Sequence, residues 1–307
     1  MKELFVHVDL DDLWAIGECY GLVIPQRLRH FVYEDGLPRL LELLRELGIR
    51  ATFFVCGADL EDKACASALA EVLRAGHQLA NHSYSHDLGF RDLSATAMRD
   101  EILRTHRAAE EHLGIRLRGF RAPGYGWSQN LVRLLAELGY LYDSSLMPNP
   151  FGGVFRFFDA RLTRKVSGRL GMKKTQFPRL WDAAHRIRPF EMRWADGIRI
   201  WELPVATAPL LRLPMQGSVC LQLGPRYFGF VHGLLRVSGV TPVVFLLHGS
   251  DVTDFARLDL DALKQVGYFS MSAETRMTRL RAYLTALAGE RKVCLAEQWF
   301  EERASCL

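Results

Sequence analysis

Apolar positions along this chain follow two alternating rhythms, and their order predicts an architecture. Leu4-Phe5-Val6-His7-Val8 is a short apolar run and reads as a strand. Leu40, Leu41, Leu43, Leu44 and Leu47 keep helical spacing after Asp35-Gly36-Leu37-Pro38, and Gly48 ends that helix. Ile49 to Val55 is β-branched and aromatic, a second strand. Ala66 to Ala75 reads as a helix closed by Gly76, and Gln78-Leu79-Ala80 as a third strand. A long helix runs from Ser94 to about Leu113 and stops at Gly114. Ile115 to Phe120 and Tyr140-Leu141-Tyr142 are strands flanking a helix capped by Ser128 and closed by Gly139.

From Phe151 to about Trp194 the rhythm stops. It resumes with a strand at Ile198 to Val205, a buried strand at Val243 to Leu247, a helix at Ser272 to Ala288 and a last strand at Lys292 to Leu295. Such alternation predicts an α/β fold with a mainly parallel sheet closed into a barrel, with an open doubly wound sheet as the alternative. No Gly-rich phosphate loop follows the first strand, so nucleotide binding has little support.

Polar clusters gather where the predicted strands end. They are Asp9-Leu10-Asp11-Asp12, His82-Ser83-Tyr84-Ser85-His86, Arg121-Ala122-Pro123-Gly124, Asp143, and Leu247-His248-Gly249-Ser250-Asp251. Strand C-termini are where a barrel collects its site residues. Two imidazoles four apart can face one point on a turn or short helix, and one carboxylate would complete a three-ligand metal site with open positions. Alone, a His-x3-His pair is a weak signal. Each member of the clusters also has a bland reading. Asp12 and Asp143 can be caps, Arg121 a structural ion-pair partner, and His248 a core histidine.

Composition narrows the field. The 307 residues and an apolar fraction of 49% suffice for one large α/β domain. A net charge of +4 gives no argument for nucleic acid. Six scattered cysteines read as thiols in a reducing compartment. Met1-Lys2-Glu3-Leu4 enters a strand directly, without a signal-peptide core, and no apolar run reaches bilayer length. The expectation is a cytoplasmic protein, with peripheral attachment to the inner membrane face open.

Together and in this order, the five clusters resemble the polysaccharide deacetylase superfamily, carbohydrate esterase family 4. The resemblance covers about residues 1–150 and the stretch 243–251; residues 151–240 align to nothing and read as an insert in a single catalytic domain. It implies a distorted (β/α)7 TIM-like barrel and metal-dependent hydrolysis of an N-acyl amino sugar. It implies one divalent ion, zinc before cobalt, nickel, manganese or iron, on Asp11, His82 and His86. Asp9 is similar to the family's general base, Arg121 to the residue that holds it, and His248 to the acid that protonates the leaving amine across the scissile bond. Gly124 would donate its N–H to the oxyanion, Asp143 would tune the histidine, and Leu247 would wall the acyl pocket.

The chain departs from the common pattern in three places. Its acids read Asp-Leu-Asp-Asp-Leu, which leaves Asp11 as base and Asp12 as ligand as an alternative. Met147 stands where a tryptophan is frequent, and Gly124 where a tyrosine is frequent.

The region 151–194 carries eleven basic residues against three acids, with eight aromatics between them. Its bland reading is a basic lid. Its functional reading is an interfacial or phosphate-binding patch that includes Arg164, Lys165, Lys173, Lys174 and Trp181. The substrate expectation is therefore an amino sugar on a polyprenyl-phosphate carrier at an anionic membrane, similar to the deformylases of lipid-linked aminoarabinose. Alternatives are deacetylation of a soluble glycan precursor and a non-catalytic sugar- or membrane-binding protein on the same barrel. An iron oxygenase is disfavoured by the Asp-then-His order and the Arg-x-Pro cluster.

Overall fold

In a computed structural model of the chain, residues 2–152, 178–260, 263 and 267–304 are described. Arg164, Lys165, Lys173 and Lys174 fall outside them. The nine described strands are β1 (Glu3–Asp9), β2 (Thr52–Val55), β3 (Gln78–Asn81), β4 (Gly119–Phe120), β5 (Tyr142–Asp143), β6 (Phe190–Arg193), β7 (Arg199–Glu202), β8 (Val243–His248) and β9 (Lys292–Val293). The sheet runs β6-β7-β5-β4-β3-β2-β1-β8, with β9 beside the start of β1. All pairings are parallel except β6 with β7.

The mainly parallel sheet curls toward a barrel, as the alternation predicts. The segment after β7 brings its two ends together. Leu203 N donates to Asp143 O, Val205 N to Leu146 O, and Ala206 N to Val244 O on β8. Part of the stretch read as an insert therefore completes the sheet.

Strand alternation sorts the core into two layers. On β1, Leu4, Val6 and Val8 face outward and pack under the helices with Leu40, Leu43, Leu44 and Leu69. Phe5 faces inward and meets Phe54, Ala80, Tyr142, Leu203 and Val244. Trp299 and Phe300, from the C-terminal helix Ala296–Ala304, plug the base of that interior. His7 and Asp9 continue the inward row toward the open end.

The helices start and stop for local reasons. The side chains of Ser94 and Ser128 accept from Ala97 N and Leu131 N, and Gly114 ends the helix Ala95–Leu113 with φ 65°. Helix Leu37–Glu46 buries Leu37, Leu40, Leu43 and Leu44, each contributing about 2 kcal/mol of apolar burial. Patterning gave no sign of helix Leu13–Tyr20, of β6, or of helices Gly217–Leu223 and Pro225–Ser238. Leu13–Tyr20 buries residues on nearly every side, so its pattern carries no polar face to read.

The loop after β8 is held from below by one buried cation. Arg276, on helix Ala273–Glu290, donates to the carbonyls of Met271, Ser250, Asp251 and Thr253. Arg276→Met orphans these carbonyls and is expected to cost about 3–5 kcal/mol. A chemical denaturation midpoint checks this; a loss below about 1 kcal/mol would mean that the loop holds itself.

Candidate active site

The inward row of β1 ends at Asp9, which is buried. Arg121, at the end of β4, fixes it. The guanidinium is fully buried and stacks over Phe54 at 4.2 Å. Its Nη1 donates to Asp9 Oδ1 at 2.7 Å and its Nε to Ser144 O at 2.8 Å. Its Nη2 donates to Ser144 Oγ at 2.8 Å and to His7 Nδ1 at 2.9 Å. His7 must accept that bond, and burial followed by the Arg121 charge holds its pKa well below the usual histidine value. His7 is thus a neutral support beneath the site.

His82 leaves β3 into a tight turn rather than a helix. Ser83 and His86 both adopt left-handed backbone, at φ 64° and 53°. Asn81 Oδ1 accepts from Ser83 N, and Glu101 Oε2 accepts from Tyr84 N and Ser85 N. Clamped from the neighbouring helix, the strained turn folds His86 back beside His82, with ring centroids 5.2 Å apart. The Nε2 atoms of both rings lie 3.2 Å from Asp11 Oδ1.

His82 Nδ1 is 2.7 Å from the Arg121 carbonyl, which can only accept, so Nδ1 carries a proton. In the neutral ring a lone pair on Nε2 then faces a carboxylate oxygen. That contact is favourable only with a cation or a proton between them. Burial opposes ionisation of Asp11, yet the His86 and His82 rings hold its carboxyl well below the usual carboxylate range. Burial opposes charging His82, and Asp9 and Asp11 outweigh it and raise its pKa. Two imidazoles, one carboxylate and a carbonyl fixing the ring tautomer fit a divalent transition metal.

Asp12 is turned away from this point. Its Oδ1 accepts from Leu13 N and Val32 N, and its Oδ2 faces His30 Nδ1 at 2.7 Å. Of the two readings of the acid cluster, the geometry joins Asp11 to the histidines.

His248 pairs in register with Asp9 across β1 and β8, and its Nε2 lies 3.9 Å from Asp9 Oδ2. The two groups stand on neighbouring strands at the open end. Asp9, Asp11, His82, His86, Gly124 and His248 line one cleft of about 250 Å³. Gly124 sits there with φ 60° and ψ 25°, a left-handed turn that suits glycine. Tyr125, Gln216, Ser218, Tyr268 and Phe269 also line it, and Tyr125 Oη donates to Gln216 Oε1 at 2.6 Å. The last four come from parts of the chain without a motif. Tyr125 follows Gly124 directly and was open to reading.

Two expected roles are corrected. Leu247 points outward into the helix layer, because it is one position out of phase with His248. The inward apolar residue is Leu246, which packs with Met147, Val205 and Tyr125. Asp143 Oδ1 accepts from Ser145 Oγ at 2.5 Å and the residue lies beside Glu202, and its described bonds do not include His248. Asp143 and Glu202 are paired on β5 and β7, both fully buried. Trp181 is 77% exposed on the short helix Leu180–Ala184, outside the cleft lining.

The fold and the converging side chains define a class: an α/β barrel with a metal-capable triad beside a buried Asp–Arg pair at its strand ends. Residues 28–142 match the polysaccharide deacetylase family model. Over that stretch the chain is similar to a polysaccharide deacetylase domain. A peptidoglycan deacetylase from Helicobacter pylori is 32% identical over 158 residues, covering 49% of this chain and 52% of that protein. A chitooligosaccharide deacetylase from Sinorhizobium fredii is 31% identical over 119 residues, covering 36% of this chain and 53% of that protein. The chain spans about half the length of the curated relatives it matches. A Mycobacterium smegmatis structure assigned to the polysaccharide deacetylases superposes with TM-score 0.62 at 22% identity, covering 100% of this chain and 92% of the other. Puue allantoinase superposes with TM-score 0.57 at 13% identity, covering 95% and 85%. These two likenesses are of fold.

The Asp143–Glu202 pair generates a test. Burial pushes Asp143 up to about 6, and burial with the facing Asp143 pushes Glu202 well above the usual range. A carboxyl raised on folding contributes stability that is full below its unfolded value near 4 and is lost as pH rises through the folded value. Asp143→Asn should flatten the fall in stability between about pH 4 and 6, by on the order of 2–3 kcal/mol. Denaturation midpoints at stepped pH read it; an unchanged slope would show that the pair does not titrate in this window.

Proposed function

We propose that this chain is a metal-dependent hydrolase that removes an N-acyl group, acetyl or formyl, from an amino sugar. The observation that carries the reading is the convergence of Asp11, His82 and His86 beside Asp9, itself held by Arg121. A divalent ion on that triad, zinc first among the candidates, would supply Lewis acidity to polarise an amide carbonyl and acidify water.

The remaining work belongs to this chain's own groups. Asp9 Oδ2 is the oxygen not bonded to Arg121 and takes the proton of the attacking water. Arg121 keeps Asp9 aimed through its three bonds to the surrounding frame. His248, 3.9 Å from Asp9 on the neighbouring strand, delivers its own proton to the leaving nitrogen. The Gly124 N–H donates to the developing oxyanion. The names of the relatives, a peptidoglycan deacetylase and a chitooligosaccharide deacetylase, favour acetyl as the acyl group and an amino-sugar glycan as its bearer.

Exposed apolar side chains favour a substrate at a membrane surface. Leu180 and Trp181 stand exposed, and so do Leu210, at 96%, and Leu211. Arg212 Nη1 donates to His185 O and ties the two segments together. Arg91 lies between Asp182 and the Tyr125 carbonyl, so this face adjoins the cleft lining. Among the described residues no helix is long and apolar enough to cross a membrane. A polyprenyl-phosphate carrier would be met by these apolar side chains and by Arg164, Lys165, Lys173 and Lys174.

Asp9→Asn is expected to lower turnover by about 10²–10⁴-fold with metal content unchanged, whereas His82→Ala loses both. Metal analysis and mass spectrometry of products from N-acetylglucosamine oligomers and polyprenyl-phosphate N-acyl sugars separate the cases. If Asp9→Asn loses the metal and Asp11→Asn keeps it, the two roles are exchanged. Co-sedimentation with anionic vesicles should weaken as salt rises and in a variant with Arg164, Lys165, Lys173 and Lys174 changed to Gln, at about 1 kcal/mol per contacting cation. Equal binding and equal turnover of lipid-linked sugar by that variant would remove the membrane surface and leave the deacylase.

A further inference from the structure

A second cluster of ligand-type side chains lies behind the acid loop, outside the cleft. Asp12, His30 and Cys65 each turn a ligand atom toward a common point, all within 4.8 Å of one another. Cys65 Sγ is 3.2 Å from His30 Nδ1, and Asp12 Oδ2 is 2.7 Å from the same nitrogen. Asp59 Oδ1 is 3.9 Å from it and accepts from Trp14 Nε1. Asp62 Oδ2 lies 3.8 Å from His30 Nε2. Four segments meet here: the cap of helix Leu13–Tyr20, the turn at His30, helix Gly57–Leu60 and the start of helix Lys63–Arg74.

The charge balance of this cluster is unusual. Asp12 and Asp59 are both fully buried, and His30 is the cationic group that touches them. Arg29 stands further out, over the Trp14 ring. Asp59 Oδ2 and the Tyr33 hydroxyl are buried without a hydrogen-bond partner among the described residues. Buried carboxylates require pairing, protonation or a metal. One thiol, one imidazole and two carboxylates make a donor set of borderline softness, which suits zinc and not calcium or magnesium.

We propose that Asp12, His30, Cys65 and Asp59 form a second, structural metal site for a zinc-like divalent ion, separate from Asp11, His82 and His86. The 2.7 Å contact of His30 and Asp12 is a hydrogen-bond separation, so the ion takes the place of the proton between them. That proton and the Cys65 thiol proton leave to solvent, and the ring and carboxylate part slightly. The adjacent acids Asp11 and Asp12 then serve two sites on opposite sides of one peptide. The ion would pin the loop between β1 and β2 to the helix that follows β2. The proposal stands independently of the hydrolase reading.

The test is metal counting on the full chain, loaded with zinc and freed of excess. Wild type should hold two ions per chain. Cys65→Ser and His30→Ala should each hold one, and His82→Ala should also hold one. A wild type holding a single ion that disappears in His82→Ala overturns the second site, as does unchanged content in Cys65→Ser. A cobalt-loaded wild type gives a reading that needs no variant of the cluster to fold. Thiolate ligation adds a near-ultraviolet charge-transfer band, which Asp11, His82 and His86 cannot produce. Cys19 lines the cleft, so the band should persist in Cys19→Ser and in His82→Ala. A missing band in wild type, or its loss in Cys19→Ser, means the cluster is a hydrogen-bonded network only.

Discussion

The site depends on one buried ion pair. Arg121 reaches from the end of β4 to Asp9 at the end of β1, across the width of β2 and β3. A buried guanidinium is costly unless its donors are used. Arg121 meets that demand with Asp9, neutral His7 and two atoms of Ser144. Its own carbonyl fixes the tautomer of His82. One residue therefore aims the Asp9 carboxylate and orients the His82 ring. Asp9 and the metal-capable triad come into register because both lean on it.

The frame around this pair is built to keep the barrel curled at its short strands. β4 and β5 contribute two residues each, too few to hold a sheet by backbone pairing alone. Side chains do the joining. Ser144 Oγ donates to Leu203 O, and Trp127 Nε1 donates to Glu202 Oε2. Asp143 and Glu202, two acids paired across β5 and β7 in the dry interior, are both raised by burial, which favours their neutral forms. An acid resembling a catalytic partner thus serves the frame.

Where the chain is strained, a neighbouring element holds the strain in place. Ser83 and His86 occupy left-handed backbone without being glycine. Glu101, on helix Ala95–Leu113, takes three donors from Tyr84 and Ser85 and keeps the turn closed. The loop after β8 is kept in the same way by Arg276. The turn after β3 and the loop after β8 are thus each stabilised from the helix layer.

The sequence by itself determined the strand–helix alternation, the barrel class and the five strand-end clusters. Short-range physics sets all of these: side-chain periodicity, glycine stops, serine caps and the placement of polar residues at strand ends. It could also name Asp9, Asp11, His82, His86, Arg121 and His248 as a group, because their clusters follow predicted strands and together resemble a known family. Tertiary structure decided what depends on phase and on distant partners. A single step along β8 turned Leu247 outward and Leu246 inward. Asp12 and Asp11 are equivalent as neighbours in sequence, and only the position of His30 and the Val32 amide sends Asp12 away from the cleft. Asp143 met Glu202, a residue 59 positions on, because β5 and β7 lie side by side. Gln216, Ser218 and Tyr268 reached the cleft by chain folding alone, from stretches with no local signal. Local sequence fixes which atoms can do chemistry, and burial beside a distant strand decides which of them face the same point.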